Sequence, residues 1–231
     1  MVSIIIPAYK TENYIQECLD SIFMQNNLNK YEHEIIIGVD GCENTLNKLM
    51  NISGKYKNLK IIMMNENYGL FITLNTLLTL VKYDNIIKFD SDDIMLPNLL
   101  DDVMSVNGDL IRFLFYYYHG KNQKLTSTEA YANGVYKIKK HVYDVLGGYQ
   151  PWKCAADTEF LERFKQCGKF NEVRLNKRLF YYRQHNNSLS RNIPYVNGSL
   201  RFEYHKLFKE KKYVDFNVKS VVGDYKIILD Y

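Results

Sequence analysis

The chain has 231 residues, of which 46% are hydrophobic and 24% are charged, and its formal net charge is +4. These values exclude a disordered, fibrous or coiled-coil protein. No apolar stretch reaches the roughly 20 residues of a membrane-spanning helix, and the N-terminus has neither the basic region nor the cleavage site of a signal peptide. The four cysteines show no CxxC spacing. We therefore expect free thiols and a cytoplasmic location.

Strand-like and helical patterns alternate through the first 115 residues. The first strand is β-branched and apolar at nearly every position, which is typical of a strand buried on both faces. A helical stripe from Tyr14 to Phe23 follows it, with Thr11 as the predicted N-cap. This alternation predicts a largely parallel sheet with helices on both faces. The predicted strands are residues 2–6, 34–39, 59–64, 85–89 and 109–115.

The pattern changes after about residue 116. We predict a short strand at 136–139, a helix at 157–166 that ends at Gly168, a strand at 173–182, and helical structure from residue 198 onward. We interpret residues 1–197 as one domain, with a nucleotide-binding half at 1–115 and an acceptor half at 116–197. Residues 198–231 are predicted to form a C-terminal helical appendage.

An acidic run, Asp90-Ser91-Asp92-Asp93, directly follows the fourth predicted strand. Ligands of open parallel sheets bind beyond the carboxyl ends of the strands. Carboxylates in that place can hold a hard divalent cation. The competing interpretation is a solvated acidic turn that caps the next helix.

The first two strands also end in residues that suit a nucleotide. Asp40, after strand two, could accept a hydrogen bond from a base edge, and Gly41 allows a tight turn. Tyr9, after strand one, could stack on a base. Taken one at a time, these residues fit an ordinary turn or a half-buried loop equally well.

Two later clusters carry further candidates. Asp157 lies at the start of a predicted helix, where it is either an N-cap or a general base for an acceptor hydroxyl. His185 is a candidate metal ligand, and Ser188, Ser190 and Arg191 beside it are candidate phosphate donors. A single histidine is more often structural than a ligand.

These clusters, in this order, resemble the family 2 glycosyltransferases, which have the GT-A fold. The resemblance covers residues 1–191, and its matching segments are VSIIIPAYKTENYIQECLDSI, VDGCENT, NENYGL, FDSDDIMLPN, GGY, AADTEFLER and YRQHNNSLS.

The resemblance implies a metal-dependent, inverting transfer of a sugar from a nucleotide sugar, most typically a UDP-sugar. It implies that Asp92 and His185 bind Mn²⁺ or Mg²⁺ and that Asp157 is the catalytic base. The implied nucleotide contacts are Pro7, Ala8, Tyr9, Glu12, Asp40, Asp90 and Ser91. The candidate phosphate or acceptor contacts are Arg183, Ser188, Ser190, Arg191 and Trp152.

The sequence departs from the family pattern at two places. The family often has an arginine near the position of Thr73 or Leu74, and none is present here. The segment DGCENT replaces the usual DDGSTDNT, which leaves one acid fewer, and Val39 cannot substitute for it.

The acceptor leaves several alternatives open. A surface polysaccharide or a lipid-linked glycan could be reached peripherally at the inner membrane. Residues 163–191 contain eight Lys or Arg and one acid, Glu172, which suits an anionic partner or a solvated face. A phage-type DNA glycosyltransferase acting on a hydroxymethylated base is a second hypothesis. An inactive, glycosyltransferase-like binding protein is a third, and a Mg²⁺-dependent phosphatase is weaker.

Overall fold

A mixed sheet of ten strands runs through the centre of the molecule, in the order β10-β3-β2-β1-β4-β8-β6-β9-β5, with β7 paired to β6. The computed structural model describes residues 1–119, 125–186, 188–194, 196–210, 218 and 220–231. The strands are Val2–Ala8 (β1), His33–Val39 (β2), Leu59–Met64 (β3), Asn85–Lys88 (β4), Ile94–Met95 (β5), Leu110–Tyr118 (β6), Leu125–Tyr131 (β7), Tyr136–Lys139 (β8), Glu172–Arg183 (β9) and Tyr225–Asp230 (β10).

Helices cover both faces of the sheet. They are Ile15–Phe23 (α1), Glu43–Ile52 (α2), Leu70–Leu80 (α3), Leu99–Met104 (α4), Lys140–Leu146 (α5), Ala156–Cys167 (α6), Leu189–Asn192 (α7) and Leu200–Lys209 (α8). Two single 3₁₀ turns follow α1 and α2. In the described part of the chain, no helix is both long enough and apolar enough to cross a bilayer.

The apolar first strand is buried because it separates two hydrophobic cores. Ile4 and Ile6 pack into the core on one face of the sheet, and Ile5 packs into the core on the other. Alternate side chains of a strand point to opposite faces, so a strand covered on both sides needs apolar residues at every position. The prediction of a strand buried on both faces is confirmed.

The parallel half of the sheet brings three strand ends to one edge. β1 pairs in parallel with β2 and β4, and β2 pairs in parallel with β3. Ala8 lies opposite Val39 in the register, and Ile5 lies opposite Lys88. The residues that follow β1, β2 and β4 therefore meet at a single edge, as the sequence predicts for the parallel half.

The second half of the sheet is mostly antiparallel. β8 joins β4 to β6, β7 pairs with β6, and β5 pairs with β9, all in antiparallel directions, whereas β6 and β9 are parallel. The predicted helix before Gly168 is present as α6, and Gly168 has the left-handed conformation (φ 65°) that ends it.

Two boundary predictions are wrong. Thr11 is not the N-cap of α1, because its carbonyl accepts the amides of Tyr14 and Ile15 in a turn that precedes the helix.

Residues 198–231 are not a purely helical appendage. They form α8 and then β10, which pairs with β3 with Ile227 opposite Ile62. β10 extends the sheet beyond β3, whose backbone donors and acceptors would otherwise be unpaired on that side.

Candidate active site

The acidic run after β4 is anchored by a buried lysine. Lys88, the last residue of β4, is 1% exposed, and its Nζ lies 2.8 Å from Oδ1 of Asp90. Its Nζ also donates to the carbonyl of Gly134. Burial raises the pKa of Asp90. The nearby carboxylates of Asp92 and Asp157 raise this pKa further, and the Lys88 ammonium opposes the rise.

Asp92 and His185 are brought together from distant parts of the chain. Nε2 of His185 lies 2.8 Å from Oδ2 of Asp92, and both side chains are only partly exposed. The His185 ring also lies against Tyr14, with ring centroids 4.5 Å apart. In the described part of the chain, His185 Nδ1 is buried without a hydrogen-bond partner. The structure thus places the two predicted metal ligands side by side.

Arg183 contacts the acidic run through two hydrogen bonds. Its backbone amide donates to Oδ1 of Asp93 at 2.9 Å, and its Nε donates to the carbonyl of Asp92 at 2.7 Å. Its guanidinium also pairs with Glu17 and lies over the ring of Tyr14. Arg183 is buried, and these contacts let it position the run. The phosphate contact of Arg183 stays a prediction beside this role.

The third acid of the run is part of the interior. Asp93 is 1% exposed, and burial, with Asp92 and Asp90 nearby, raises its pKa well above the usual value. The Cys18 thiol behind it is also fully buried, and burial raises its pKa in the same direction. Cys18 therefore stays a thiol at neutral pH and is not a reactive cysteine.

Asp157 faces the acidic run across a glycine. A Cβ placed on Gly134 would lie 3.3 Å from Oδ2 of Asp90 and 3.8 Å from Oδ2 of Asp157. The main chain at Gly134 therefore passes close to both carboxylates. Asp157 is the second residue of α6, and its Oδ1 accepts the amide of Thr158 at 2.8 Å. Ala155, with φ 64°, occupies the N-cap position that Asp157 was thought to fill.

Glu159, two residues after Asp157, points the other way. It is 1% exposed and forms a buried ion pair with Arg163, with 2.6 Å between Oε1 and Nε. Successive residues of a helix are about 100° apart, so Asp157 and Glu159 lie on nearly opposite sides of α6. Asp157 is therefore the carboxylate that α6 presents to the cleft.

Asp90 and Asp157 both line a cavity of about 740 Å³. One wall is aromatic, formed by Phe115 and Tyr117 of β6 and by Phe180 and Tyr182 of β9. The lining also includes cationic and imidazole side chains from the C-terminal part of the chain. These are Arg191, Arg201 and His205.

The predicted nucleotide contacts fall into two groups. Pro7 and Ala8 are buried within β1, and Ser91 is 4% exposed. Nucleotide contacts by these three residues stay predictions. Tyr9 is 43% exposed at the end of β1. Glu12 is partly exposed and accepts a hydrogen bond from Thr45 Oγ1 at 3.1 Å.

Asp40 has a structural role that the sequence did not reveal. Its two carboxylate oxygens accept the amides of Tyr68 and Gly69, at 2.8 and 2.9 Å, directly before α3. Burial raises its pKa, and these two amides oppose the rise. Gly41, with φ 64°, makes the tight turn as predicted. Base recognition by Asp40 stays a prediction beside this role.

Of the remaining candidates, Arg191 lines the cavity, whereas Ser188 and Trp152 are not among its lining residues. Ser188 is buried, and its Oγ accepts the amide of His185 at 3.4 Å, so it shapes the turn. Arg191 is exposed and donates to Gln184 Oε1 at 3.3 Å. Trp152 stacks on Tyr204 of α8. The side chain of Ser190 lies outside the described residues.

The positive segment at 163–191 is mostly neutralised by ion pairs. The pairs are Arg163–Glu159, Lys165–Glu162, Arg174–Glu172, Lys177–Asp102, Arg178–Glu129 and Arg183–Glu17. Most of its charge therefore offers little to an anionic partner, and Arg191 is the cation of this segment that reaches the cavity.

Sequence analysis missed Lys88, Arg201 and His205. Lys88 could have been found, because residues i and i+2 of a strand share a face and Lys88 precedes Asp90 by two. Arg201 and His205 lie in a segment with no motif. Within the described residues, no group of three or more His, Cys, Asp or Glu side chains is arranged to hold a metal ion.

Comparison with known proteins finds a family model that matches the first part of the chain. Residues 3–107 match the family model described as Glycosyl transferase family 2. The chain is 24% identical to the O-antigen biosynthesis glycosyltransferase WbnJ of Escherichia coli, in an alignment that covers 94% of this chain and 92% of WbnJ.

Solved structures of low sequence identity share the fold. TarS 1–349 of S. aureus, in complex with UDP-GlcNAc, has a TM-score of 0.68 at 20% identity, covering 84% of this chain and 61% of that one. The mannosyltransferase PcManGT of Pyrobaculum calidifontis, in complex with GDP-Man and Mn²⁺, has a TM-score of 0.68 at 13% identity, covering 93% and 65%. The chain thus spans less than two thirds of each of these structures. The predicted GT-A fold is confirmed.

Proposed function

We propose that this chain transfers a sugar from a nucleotide sugar to an acceptor hydroxyl, because residues 3–107 match the family model described as Glycosyl transferase family 2. The observation that carries the proposal is the position of Asp90 and Asp157 in the lining of one cavity, with Asp92 of the same acidic run paired to His185. A UDP-sugar is the proposed donor, bound at the edge where Tyr9 is exposed.

A divalent cation, Mn²⁺ or Mg²⁺, fits the Asp92–His185 pair. A carboxylate oxygen and an imidazole nitrogen 2.8 Å apart can approach one ion, and His185 Nδ1 lacks a partner in the described part of the chain. Carboxylate and water ligands suit both Mn²⁺ and Mg²⁺. When bound, the cation neutralises charge on the leaving diphosphate. The diphosphate and water would supply the remaining ligands.

The chain's own groups supply proton transfer and positioning. Asp157 takes the proton of the acceptor hydroxyl, whose oxygen forms a bond to the anomeric carbon. The bond from that carbon to the diphosphate breaks, and its electron pair leaves with the nucleoside diphosphate. A single displacement of this kind inverts the anomeric centre. Asp90, held by Lys88, is placed to contact the ribose or the hydration shell of the cation.

The site bears on whether the protein is an active enzyme, and the relatives bear on its acceptor. Asp90 and Asp157 line one cavity, and Asp92, two residues after Asp90, lies against His185. This arrangement favours an active enzyme over an inactive binding protein. An acceptor in surface polysaccharide, or one linked to lipid, is the preferred proposal because the WbnJ relative is named for O-antigen biosynthesis. A hydroxymethylated DNA base stays a competing hypothesis. A cytoplasmic location, peripheral at the inner membrane, stays a prediction.

Calorimetric titration of UDP with and without Mn²⁺ tests the proposal. We expect Mn²⁺ to strengthen UDP binding by wild-type protein and expect Asp92→Asn and His185→Ala each to abolish that gain, because each removes a ligand. Asp144→Asn, which alters an exposed acid on α5, serves as the matched control and keeps the gain. Metal-independent UDP affinity in wild type, or full gain in Asp92→Asn, would remove the metal site from the proposal.

A further inference from the structure

Helix α8 is fixed against the acceptor side of the cavity. The rings of Trp152 and Tyr204 are stacked, with centroids 4.4 Å apart and planes 7° apart. Tyr204 also packs on buried Cys154 and Ala155, directly before α6. Arg201 and His205 are one helical turn apart on α8, so they share a face, and both line the cavity.

Arg201 has unused capacity to bind an anion. Its Nε is buried without a hydrogen-bond partner within the described residues, and its guanidinium lies close to the Cys154 thiol. None of the ion pairs formed by described residues involves Arg201 or Arg191. A buried guanidinium nitrogen that lacks an acceptor is costly unless a ligand supplies one.

The charges of the residues that line the cavity also favour an anionic ligand. Its two lining acids are Asp90 and Asp157, and Asp90 is already paired with Lys88. Burial lowers the pKa of His205, Asp157 opposes that shift, and Arg201 and Lys209 add to it. The α8 side therefore presents a full positive charge on Arg201 beside a neutral imidazole.

We propose that the α8 side of the cavity binds a phosphate group carried by the acceptor, with Arg201 as its main contact and His205 and Arg191 as further donors. These donors come from two separate helices and approach one space, which suits the several oxygens of a phosphate. The inference rests on the proposed function, because the acceptor hydroxyl must reach Asp157 in the same cavity.

The position of these residues favours the acceptor over the donor diphosphate. Arg201 and His205 line the cavity together with Asp157, whereas Asp92 and His185 are not among the lining residues. The aromatic wall of β6 and β9 gives the uncharged part of a sugar or polyol a surface to pack on. A phosphorylated sugar or polyol therefore fits both sides of the cavity.

Fluorescence of the full chain offers a direct test. Trp152 is the single tryptophan of the sequence, so its emission reports from the contact with α8. Titration with glycerol 1-phosphate should give a saturable change, and glycerol, the matched neutral probe, should give none. Arg201→Gln should weaken binding by about 10- to 100-fold, the loss expected for a charge-assisted hydrogen bond. Lys206→Gln removes the same charge from the exposed side of α8 and should bind like wild type.

Two further arms make the result decisive. Vesicles of phosphatidylglycerol, compared with phosphatidylcholine, report whether the phosphate belongs to a lipid headgroup. Binding that depends on Arg201, in solution or on these vesicles, supports the proposal and identifies the source. Equal binding by wild type and Arg201→Gln overturns it, as does a loss of UDP affinity in Arg201→Gln. If the unliganded spectrum of Arg201→Gln differs from wild type, His205→Gln and Arg191→Gln repeat the comparison.

Metal-dependent UDP binding by the same wild-type sample tests the proposed function separately. A sample that binds UDP with Mn²⁺ but ignores the phosphate probes refutes the inference alone. A sample that binds the probes through Arg201 but never binds UDP refutes the proposed function alone.

Discussion

Replacement of Lys88 by methionine tests whether the buried ion pair holds the acidic run in place. The substitution keeps the length and apolar stem of the side chain but removes the ammonium that contacts Asp90 at 2.8 Å and the Gly134 carbonyl. Breaking a buried pair by removing one partner costs about 3–5 kcal/mol. The Asp90 side chain is 26% exposed, so we expect about 3 kcal/mol, the lower end of that range.

The loss should depend on pH in a defined direction. The pKa of Asp90 is raised in the folded state, so ionisation of this carboxyl opposes folding as pH rises from its unfolded value through its folded value. Lys88 opposes that rise, and Lys88→Met removes the opposition. The variant should therefore lose more stability, relative to wild type, at pH 7 than at pH 4, because a larger fraction of Asp90 is protonated at the lower pH and its pairing with Lys88 is weaker there.

Thermal unfolding at the two pH values measures this effect. At pH 7 we expect Tm to fall by about 6–12 °C, since each kcal/mol shifts Tm by about 2–4 °C in a chain of this size. Lys82→Met, which removes an exposed lysine 3.6 Å from Glu32, should change stability by under about 0.5 kcal/mol. A Tm shift equal at both pH values, or as small as that of Lys82→Met, would refute the structural role assigned to Lys88.

Two further variants test the proposed catalytic base and, separately, the buried ion pair of α6. Asp157→Asn should reduce sugar transfer by about 10²–10⁴-fold while UDP and Mn²⁺ affinities stay unchanged; a fall in UDP affinity measured by calorimetry would assign Asp157 another role. Arg163→Met should lower the free energy of unfolding by about 3–5 kcal/mol, because it removes the buried guanidinium that pairs with Glu159 and donates to two backbone carbonyls. Lys165→Met, on the exposed side of α6, should stay within about 0.5 kcal/mol of wild type in urea unfolding, and an equal loss in both variants would contradict this account.

The sequence by itself determined the parallel half of the sheet and the place of its ligand edge. β-Branched runs at every position specify strands buried on both faces, and the residues after β1, β2 and β4 follow from where those runs stop. Local periodicity also predicted α6 and its end at Gly168, since a left-handed residue is needed there. These features depend on neighbours within a few residues, which is the range over which sequence pattern is informative.

Only the tertiary structure decided which side chains meet. Asp92 and His185 are 93 residues apart in the chain, and their contact depends on the pairing of β5 with β9, which no local pattern specifies. The tertiary structure likewise gives Arg183 a role in supporting the acidic run and gives Asp40 two backbone amides to accept. It also brought Arg201, from a segment without motifs, to the cavity of Asp157. The reason is physical: long-range pairing and the burial of charge depend on the whole arrangement of strands and helices, whereas a residue's neighbours along the chain fix only its own turn or strand.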